Sequence, residues 1–205
     1  MKGDLSHMYA TDSDMGTLSN IIYAKGLVFA GSEINMSIRP GWFHHENEEP
    51  HPLDRLLDTY MNSVGGNTCF HLNIPPMKNG RFDPRDIARL KSLGDALREA
   101  FSKRIPTGTA KSGEMDSDTQ CMYHVKLAQR QTVKYIVLSE DIAQGQRVES
   151  FVLQVKDEGG KWMPFYRGYC IGHKKICRVC LETDEFRLFV TSARDEVIMR
   201  DIAVY

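Results

Sequence analysis

Residues 52–76 have the sequence PLDRLLDTYMNSVGGNTCFHLNIPP, which predicts a helix followed by a strand. Apolar side chains recur at helical spacing from Leu53 to Val64, and Pro52 stands where a first-turn proline is tolerated. The glycine pair that follows is a typical helix stop. The next apolar run, residues 68–74, is halted by two prolines and predicts a short buried strand.

A second helix is predicted for residues 83–101. Asp83 can cap its amino end, and Pro84 suits the first helical position. One apolar stripe follows at helical spacing, made of Ile87, Leu90, Leu93, Leu97 and Phe101. A helix, a strand and a long helix in succession are typical of an α/β domain.

The pattern changes after residue 104. Residues 104–120 are rich in Gly, Ser, Thr and Asp and predict a connection or an irregular loop. Beyond them no long helical stripe recurs, and short β-type runs follow at 133–138, 149–155, 162–166, 175–181, 186–191 and 197–205. Such runs predict an antiparallel β-sandwich or jelly roll. We therefore expect two domains, residues 1–103 and 104–205, and a fold class of α/β plus all-β.

The amino-acid composition argues against several classes of function. With 26 Lys and Arg against 27 Asp and Glu, no basic field would attract nucleic acid or an anionic membrane. No apolar run approaches the roughly 20 residues that span a bilayer, so we expect no membrane insertion. Five cysteines cannot all pair within one chain, which argues against a disulfide scaffold.

Residues 31–45, GSEINMSIRPGWFHH, place a carboxylate, an arginine, a tryptophan and two histidines close together. Sugar sites favour this mixture, because an indole offers a flat apolar face, a guanidinium donates in a fork, and a carboxylate can transfer the glycosidic proton. Ordinary loops also contain these residues. In that alternative, Arg39 pairs with an acidic neighbour such as Glu46, Trp42 packs, and Glu33 is solvated.

Several segments resemble one enzyme family. SIRPGWFHH (37–45), LDRLLDTYMNSVGGN (53–67), LNIPP (72–76) and ARLKSLG (88–94) are similar, in order and spacing, to the end of the catalytic domain of glycoside hydrolase family 29 α-L-fucosidases. The second half contains VLSEDIAQGQRVESFVLQV, GGKW, IGHKK and FRLFVTSAR, which resemble the discoidin-like sandwich of many members. The resemblance implies the end of a (β/α)8-type barrel followed by a β-sandwich.

The resemblance also implies a reaction. Members are retaining enzymes that remove terminal α-L-fucosyl groups from glycans with two carboxylates. Glu33 corresponds to the acid/base, whereas no Trp-x-Asp-Gly word for the nucleophile is present; Asp12 and Asp14 lie upstream in a polar, loop-like setting. A barrel needs about 250 residues. We therefore expect an incomplete catalytic unit, and the alternative function is a non-catalytic carbohydrate-binding module.

Further expectations concern ligands. The resemblance implies that Arg39 and Trp42 line the site for a fucosylated substrate, with no cofactor. Asn73 falls at the carboxyl end of a predicted barrel strand, where barrel sites gather, although an Asn at a strand end also caps turns. The resemblance also implies a periplasmic or secreted location, although residue 1 is followed by no export signal. The histidines at positions 44, 45 and 51 lack the features of a metal site. Oligomeric state is left open.

Two features of the second half are assigned structural roles. Cys177 and Cys180 are three residues apart in an alternating strand, so they should face opposite sides of a sheet. Trp162, Phe165 and Tyr166 could form a sugar platform, but hairpin aromatics more often fill a core.

Overall fold

A computed structural model describes residues 31–112, 120–143 and 145–205; Asp12 and Asp14 lie outside these ranges. The elements, in chain order, are β1 (Glu33–Ser37), α1 (Leu53–Ser63), β2 (Cys69–Asn73), α2 (Pro84–Phe101), β3 (Thr107–Lys111), β4 (Cys121–Glu140), β5 (Val148–Lys156), β6 (Trp162–Gly168), β7 (Lys175–Ala193) and β8 (Met199–Val204). The described part of the chain is therefore mostly β-sheet with few helices. None of the helices in the described ranges is long and apolar enough to cross a bilayer.

In the N-terminal part, β1 and β2 pair in parallel, with Glu33 opposite Cys69 and Ser37 opposite Asn73. Helices α1 and α2 pack on this pair around a small core of Ile38, Leu56 and Leu93. The predicted succession of helix, strand and helix is confirmed.

Two details of this part differ from expectation. The strand β2 is not buried, because within the described residues it pairs only with β1, and its Cys69 and His71 are exposed. The apolar stripe of α2 is covered only in its second half: Leu93 is buried, but Ile87 is 53% exposed and Leu90 is 40% exposed.

The start of α2 is as predicted. Asp83 is the N-cap, its carboxylate accepts a hydrogen bond from the Arg85 backbone N–H at 2.8 Å, and Pro84 is the first helical residue. Because this cap satisfies one of the free N–H groups of the first turn, the helix begins where the sequence places it.

The C-terminal part is a six-stranded antiparallel sheet with the order β3-β4-β7-β5-β6, and β8 also pairs with β4. Its core alternates along the strands and includes Val125, Leu138, Leu153 and Leu188. The two longest strands exceed the predicted runs: β4 contains 133–138 and begins twelve residues earlier, at Cys121, and β7 merges 175–181 and 186–191. Register shifts between β4 and β7 mark where these strands bend.

Strand β3 was not predicted. Its sequence, TGTAK, has no apolar alternation because it is a largely exposed edge strand that pairs only with β4 among the described strands. The expectation of an irregular loop was therefore wrong at residues 107–111.

The two parts meet at a defined junction. Asn67, at φ 68°, donates through Nδ2 to the Ile171 carbonyl at 2.8 Å and accepts through Oδ1 from the Lys174 N–H at 2.8 Å. Gly172 lies beneath this amide at φ 59°. Its own N–H donates to the buried Glu140 carboxylate at 2.7 Å. The junction is therefore held by directional hydrogen bonds, which have more specific geometry than apolar contact alone.

We predict that Gly172→Ala lowers the free energy of unfolding by about 2–4 kcal/mol. An alanine there would be strained at positive φ, and its Cβ would lie 2.7 Å from Asn67 Oδ1, breaking the amide hydrogen bonds. The matched control is Gly80→Ala, because Gly80 has φ 77° but open space around it, and it should cost only the backbone strain. Urea denaturation measures both. Equal losses would mean that the Asn67 contact contributes nothing.

Candidate functional site at the carboxyl ends of the parallel strands

The loop that follows β1 closes over the end of β2. The Ile38 N–H donates to the Asn73 carbonyl at 2.9 Å, and the His51 N–H donates to the Ile38 carbonyl at 2.7 Å. Residues 39–50 therefore form a closed loop at the carboxyl ends of two parallel strands, the position where α/β folds gather ligand-binding groups.

Asn73 and Trp42 are brought together at this edge. The Asn73 Nδ2 group donates to the Trp42 carbonyl at 3.1 Å and to Ser37 Oγ at 3.3 Å. The Trp42 side chain is 53% exposed and the adjacent Phe43 is 78% exposed. Asn73 thus fixes the backbone of a loop that presents two aromatic rings to solvent, and such rings can stack on the C–H face of a sugar.

Arg39 is placed differently from its predicted role. Its side chain has no exposed surface, Nε donates to the two Asp86 carboxylate oxygens at 3.0 and 2.9 Å, and Nη1 donates to the carbonyls of His45, at 3.0 Å, and Glu48. A sugar cannot contact a guanidinium enclosed in this way. Arg39 pairs with acidic residues, as in the alternative interpretation, but the partners belong to α2 and do not include Glu46.

Asp83 is a second acidic partner of Arg39, and its carboxylate also contacts His44 and Arg85. Its Oδ2 lies 2.9 Å from Arg39 Nη2, 2.9 Å from His44 Nε2 and 2.7 Å from Arg85 Nη2. The Arg39 contact is an ion pair without hydrogen-bond geometry, because Nη2 is buried with no acceptor aligned to it. Hydrogen bonds from Arg85 and then from His44 hold the pKa of Asp83 well below its usual range.

Glu33 lies away from this group. It is the first residue of β1, whereas Trp42 and Asn73 lie at or beyond the last residues of the two strands. A strand of five residues separates its ends by roughly 13 Å at about 3.3 Å per residue. The Glu33 carboxylate is 54% exposed and lies 3.4 Å from His71 Nε2. The structure therefore does not bring Glu33 into a shared site with Trp42 and Asn73.

The remaining candidates are the histidines and cysteines that the sequence singled out. Within the described ranges no three His, Cys, Asp or Glu side chains cluster as metal ligands. His44 is bonded to Asp83, and burial lowers the pKa of His51. Cys177 is buried and Cys180 exposed, as expected for opposite faces, and burial raises the pKa of Cys177 to about 12.

The sequence analysis missed Asp86 and recognised Asp83 only as a helix cap. Two aspartates in the first turn of a helix are ordinary, because the positive end of the helix dipole favours them. A buried arginine needs carboxylate partners, and that requirement was a usable signal. However, Arg39 and Asp86 are 47 residues apart in the chain, so spacing alone could not pair them.

Comparison with known proteins shows that the chain is similar to carbohydrate-active hydrolases. No family model matches the chain. The chain is 28% identical to Alpha-L-fucosidase 1 of Arabidopsis thaliana over 99% of its length, covering 44% of that protein. It superimposes on the crystal structure of SpGH29 with a TM-score of 0.81 and 29% identity over 91% of this chain and 47% of that one.

The chain therefore resembles, in sequence and in fold, the C-terminal portion of glycoside hydrolase family 29 α-L-fucosidases. A GH29 fucosidase from Ruminococcus gnavus, solved in complex with fucose, shares the fold with a TM-score of 0.80 over 88% of this chain and 42% of that one, at 21% identity. The chain spans less than half the length of each of these three proteins.

We predict that Arg39→Met destabilises the protein by about 3–5 kcal/mol, because it leaves the fully buried Asp86 without its cation. The control is Arg98→Met, which removes the exposed pair with Asp95 and should cost about 1 kcal/mol or less. Chemical denaturation measures both variants. A loss for Arg39→Met as small as that of the control would show that the buried pair does not hold the fold.

We also predict a pH-dependent contribution from Asp83. Its pKa is lowered on folding, so its stabilising contribution is complete above the ordinary value of 3.8 and is lost as the pH falls further toward the folded-state pKa. The stability difference between the wild type and Asp83→Asn should therefore be constant at neutral pH and shrink below pH 3.8. Exposed Asp184→Asn is the control. A difference that does not change with pH would contradict this assignment.

Proposed function

We propose that this chain supplies the C-terminal part of an α-L-fucosidase that hydrolyses terminal α-L-fucosyl linkages in glycans with retention of configuration. The observation that carries the proposal is the likeness to SpGH29, which extends over 91% of the chain at 29% identity with a TM-score of 0.81. The likeness to the Arabidopsis α-L-fucosidase over 99% of the chain supports the same conclusion. The substrate is accordingly a fucosylated glycan.

We propose the corresponding architecture for the two parts. Residues 1–103 would be the end of a (β/α)8-type barrel and residues 104–205 a discoidin-like β-sandwich. The parallel pairing of β1 with β2 beside two helices supports the first assignment, and the wholly antiparallel pairing from residue 107 onward supports the second. By the same resemblance the protein acts in the periplasm or outside the cell.

In the proposed site, Trp42 and Phe43 are the sugar-contacting groups. They are exposed aromatic rings on a loop that Asn73 ties to the strand ends. Arg39 acts behind them as a positioning residue, since its guanidinium bonds the carbonyls of His45 and Glu48 in the same loop. A loop held in this way presents the rings without a large ordering cost on binding.

The proposed hydrolysis requires an acid/base residue. The resemblance gives this role to Glu33, and a retaining mechanism needs a second carboxylate about 5–5.5 Å from it. The place of Glu33 at the amino end of β1, half exposed beside His71, supports the alternative that it is a solvated carboxylate. That observation also favours the second candidate function, a non-catalytic carbohydrate-binding module.

One experiment decides between these functions. The complete protein is assayed with 4-nitrophenyl α-L-fucoside, and the anomer first released is identified by NMR. If Glu33 is the acid/base, Glu33→Gln should lower kcat by about 10²–10⁴-fold, and azide should rescue Glu33→Ala, because removal of a general acid or base has about this effect. The exposed α2 carboxylate gives the matched control, Glu99→Gln.

The other outcomes of this assay test the catalytic residue, the stereochemistry and the binding-module alternative separately. An active Glu33→Gln enzyme would remove Glu33 from the mechanism and leave the fucosidase proposal intact. Release of the inverted sugar would overturn the retaining mechanism. Binding of fucosylated glycans without hydrolysis by the complete protein would favour the binding module.

A further inference from the structure

A charged aromatic cluster lies on the face of the C-terminal sheet that points away from its core. Core side chains such as Val125 and Leu188 alternate with outward ones along β4 and β7. The outward side chains of four neighbouring strands meet around one indole ring. We define the Trp162 cluster as Trp162, Lys156, Arg187 and His124.

The geometry of the cluster centres on the ring. Arg187 Cζ lies 4.5 Å from the centroid of the Trp162 ring and Lys156 Nζ lies 5.0 Å from it. The His124 ring meets the indole edge to face, with centroids 5.8 Å apart. Two cations therefore contact one aromatic ring, which stabilises each of them through the ring quadrupole.

Arg187 is the cation of the cluster that is available to a ligand. It is half-buried, its Nε donates to Gln154 Oε1 at 2.6 Å, and no carboxylate pairs with it among the residues that the structure describes. The nearby Glu185 is bound by Lys156 at 2.5 Å. When the flat face of a guanidinium lies against an aromatic ring, the N–H groups at its edge can still donate hydrogen bonds. Arg187 therefore retains donors that suit an anion.

Charged side chains of both signs surround the cluster: two basic ones lie on the same face, and the acidic Asp157, Glu182 and Asp184 border the Lys156–Glu185 pair. Lys126 is opposite Glu185 in the pairing of β4 with β7, and Arg167 is opposite Val152 in the pairing of β5 with β6. Both basic side chains are exposed on the outward face and have no acidic partner in the described part of the chain. The acidic Glu185 is already neutralised by Lys156.

We propose that the Trp162 cluster is a binding site for an acidic saccharide, a sugar that carries a carboxylate or a sulfate ester. The C–H face of the pyranose stacks on Trp162, and the acidic group binds the open N–H edge of Arg187 with Lys126 beside it. This site goes beyond the proposed hydrolysis, because it lies in the C-terminal sheet and has no need of the loop that presents Trp42.

The composition of the cluster favours a saccharide over a nucleic acid strand. A single-stranded nucleic acid is bound by successive aromatic platforms along a basic groove. The Trp162 cluster has one indole with cations grouped around it, which matches one sugar ring with one acidic substituent.

The test is calorimetric titration of the unmodified chain with 3′-sialyllactose, galactose 3-sulfate and lactose. We expect at least one of the acidic sugars to bind and lactose to bind at least tenfold more weakly; the stronger of the two acidic ligands identifies the acidic group. Binding should weaken at high salt, because the Debye length falls from about 10 Å at 0.1 M to about 3 Å at 1 M.

The variants separate stacking from charge. Trp162→Ala and Arg187→Gln should each weaken binding at least tenfold, and Trp162→Phe should retain part of it. The matched controls are Tyr169→Ala, an aromatic ring that is 76% exposed elsewhere, and Lys103→Gln, an exposed cation next to α2. Thermal unfolding confirms that each variant is folded, and Trp162→Phe tests the site if the alanine variant does not fold.

Several results would overturn the proposal. They are no binding of either acidic sugar, equal binding of lactose, and equal competition by inorganic sulfate, which would indicate a simple anion site. Stronger binding of an oligonucleotide through the same residues would also overturn it. Because the titration requires no hydrolysis, failure of the fucosidase proposal leaves this result unaffected, and the converse also holds.

Discussion

The ion pair between Arg39 and Asp86 is the interaction on which the candidate site depends. Neither side chain has exposed surface, so both charges are removed from water at a cost that only close, hydrogen-bonded contact can offset. The contact joins the loop after β1 to the first turn of α2. The same guanidinium bonds two loop carbonyls, and this holds residues 39–48 as one shaped segment. Because these contacts hold the loop from beneath, its conformation does not depend on burial of Trp42 and Phe43, and both rings can remain exposed.

A second set of contacts fixes the C-terminal sheet against the N-terminal part. Both polar atoms of the Asn67 amide bond the backbone around Gly172, and the buried Glu140 carboxylate accepts from Gly172 and Val148. Phe101, the last residue of α2, contacts the rings of Tyr135 and Tyr205 at 5.2 and 5.3 Å between centroids. The N-terminal part is therefore held against the sheet by polar contacts at Asn67, by aromatic contacts at Phe101 and by the ion pair of Asp58 with Arg178.

The sequence predicted those features that depend on local pattern. The cap at Asp83, the helix spacing and the opposite faces of Cys177 and Cys180 follow from periods of 3.6 and 2 residues, and they are confirmed. Features that depend on distant partners were not predictable in this way. The burial of Arg39 depends on Asp86, the exposed strand β3 has no periodic signal, and the length of β7 depends on bends that let one strand continue through two apolar runs. The position of Glu33 at the amino end of β1 was not predictable either, because β1 itself has no clear sequence signal.

Asp83 caps helix α2 and also binds the loop after β1, and this double role couples the motions of the two segments. The same carboxylate accepts a hydrogen bond from one N–H of the first turn of α2 and holds His44 and Arg39 of the loop after β1. Fraying of the helix end would release the loop, and displacement of the loop would uncap the helix. The aromatic rings and the first turn of α2 should therefore open as a single cooperative unit, so that a ligand resting on the rings would also slow hydrogen exchange in a helix it never touches.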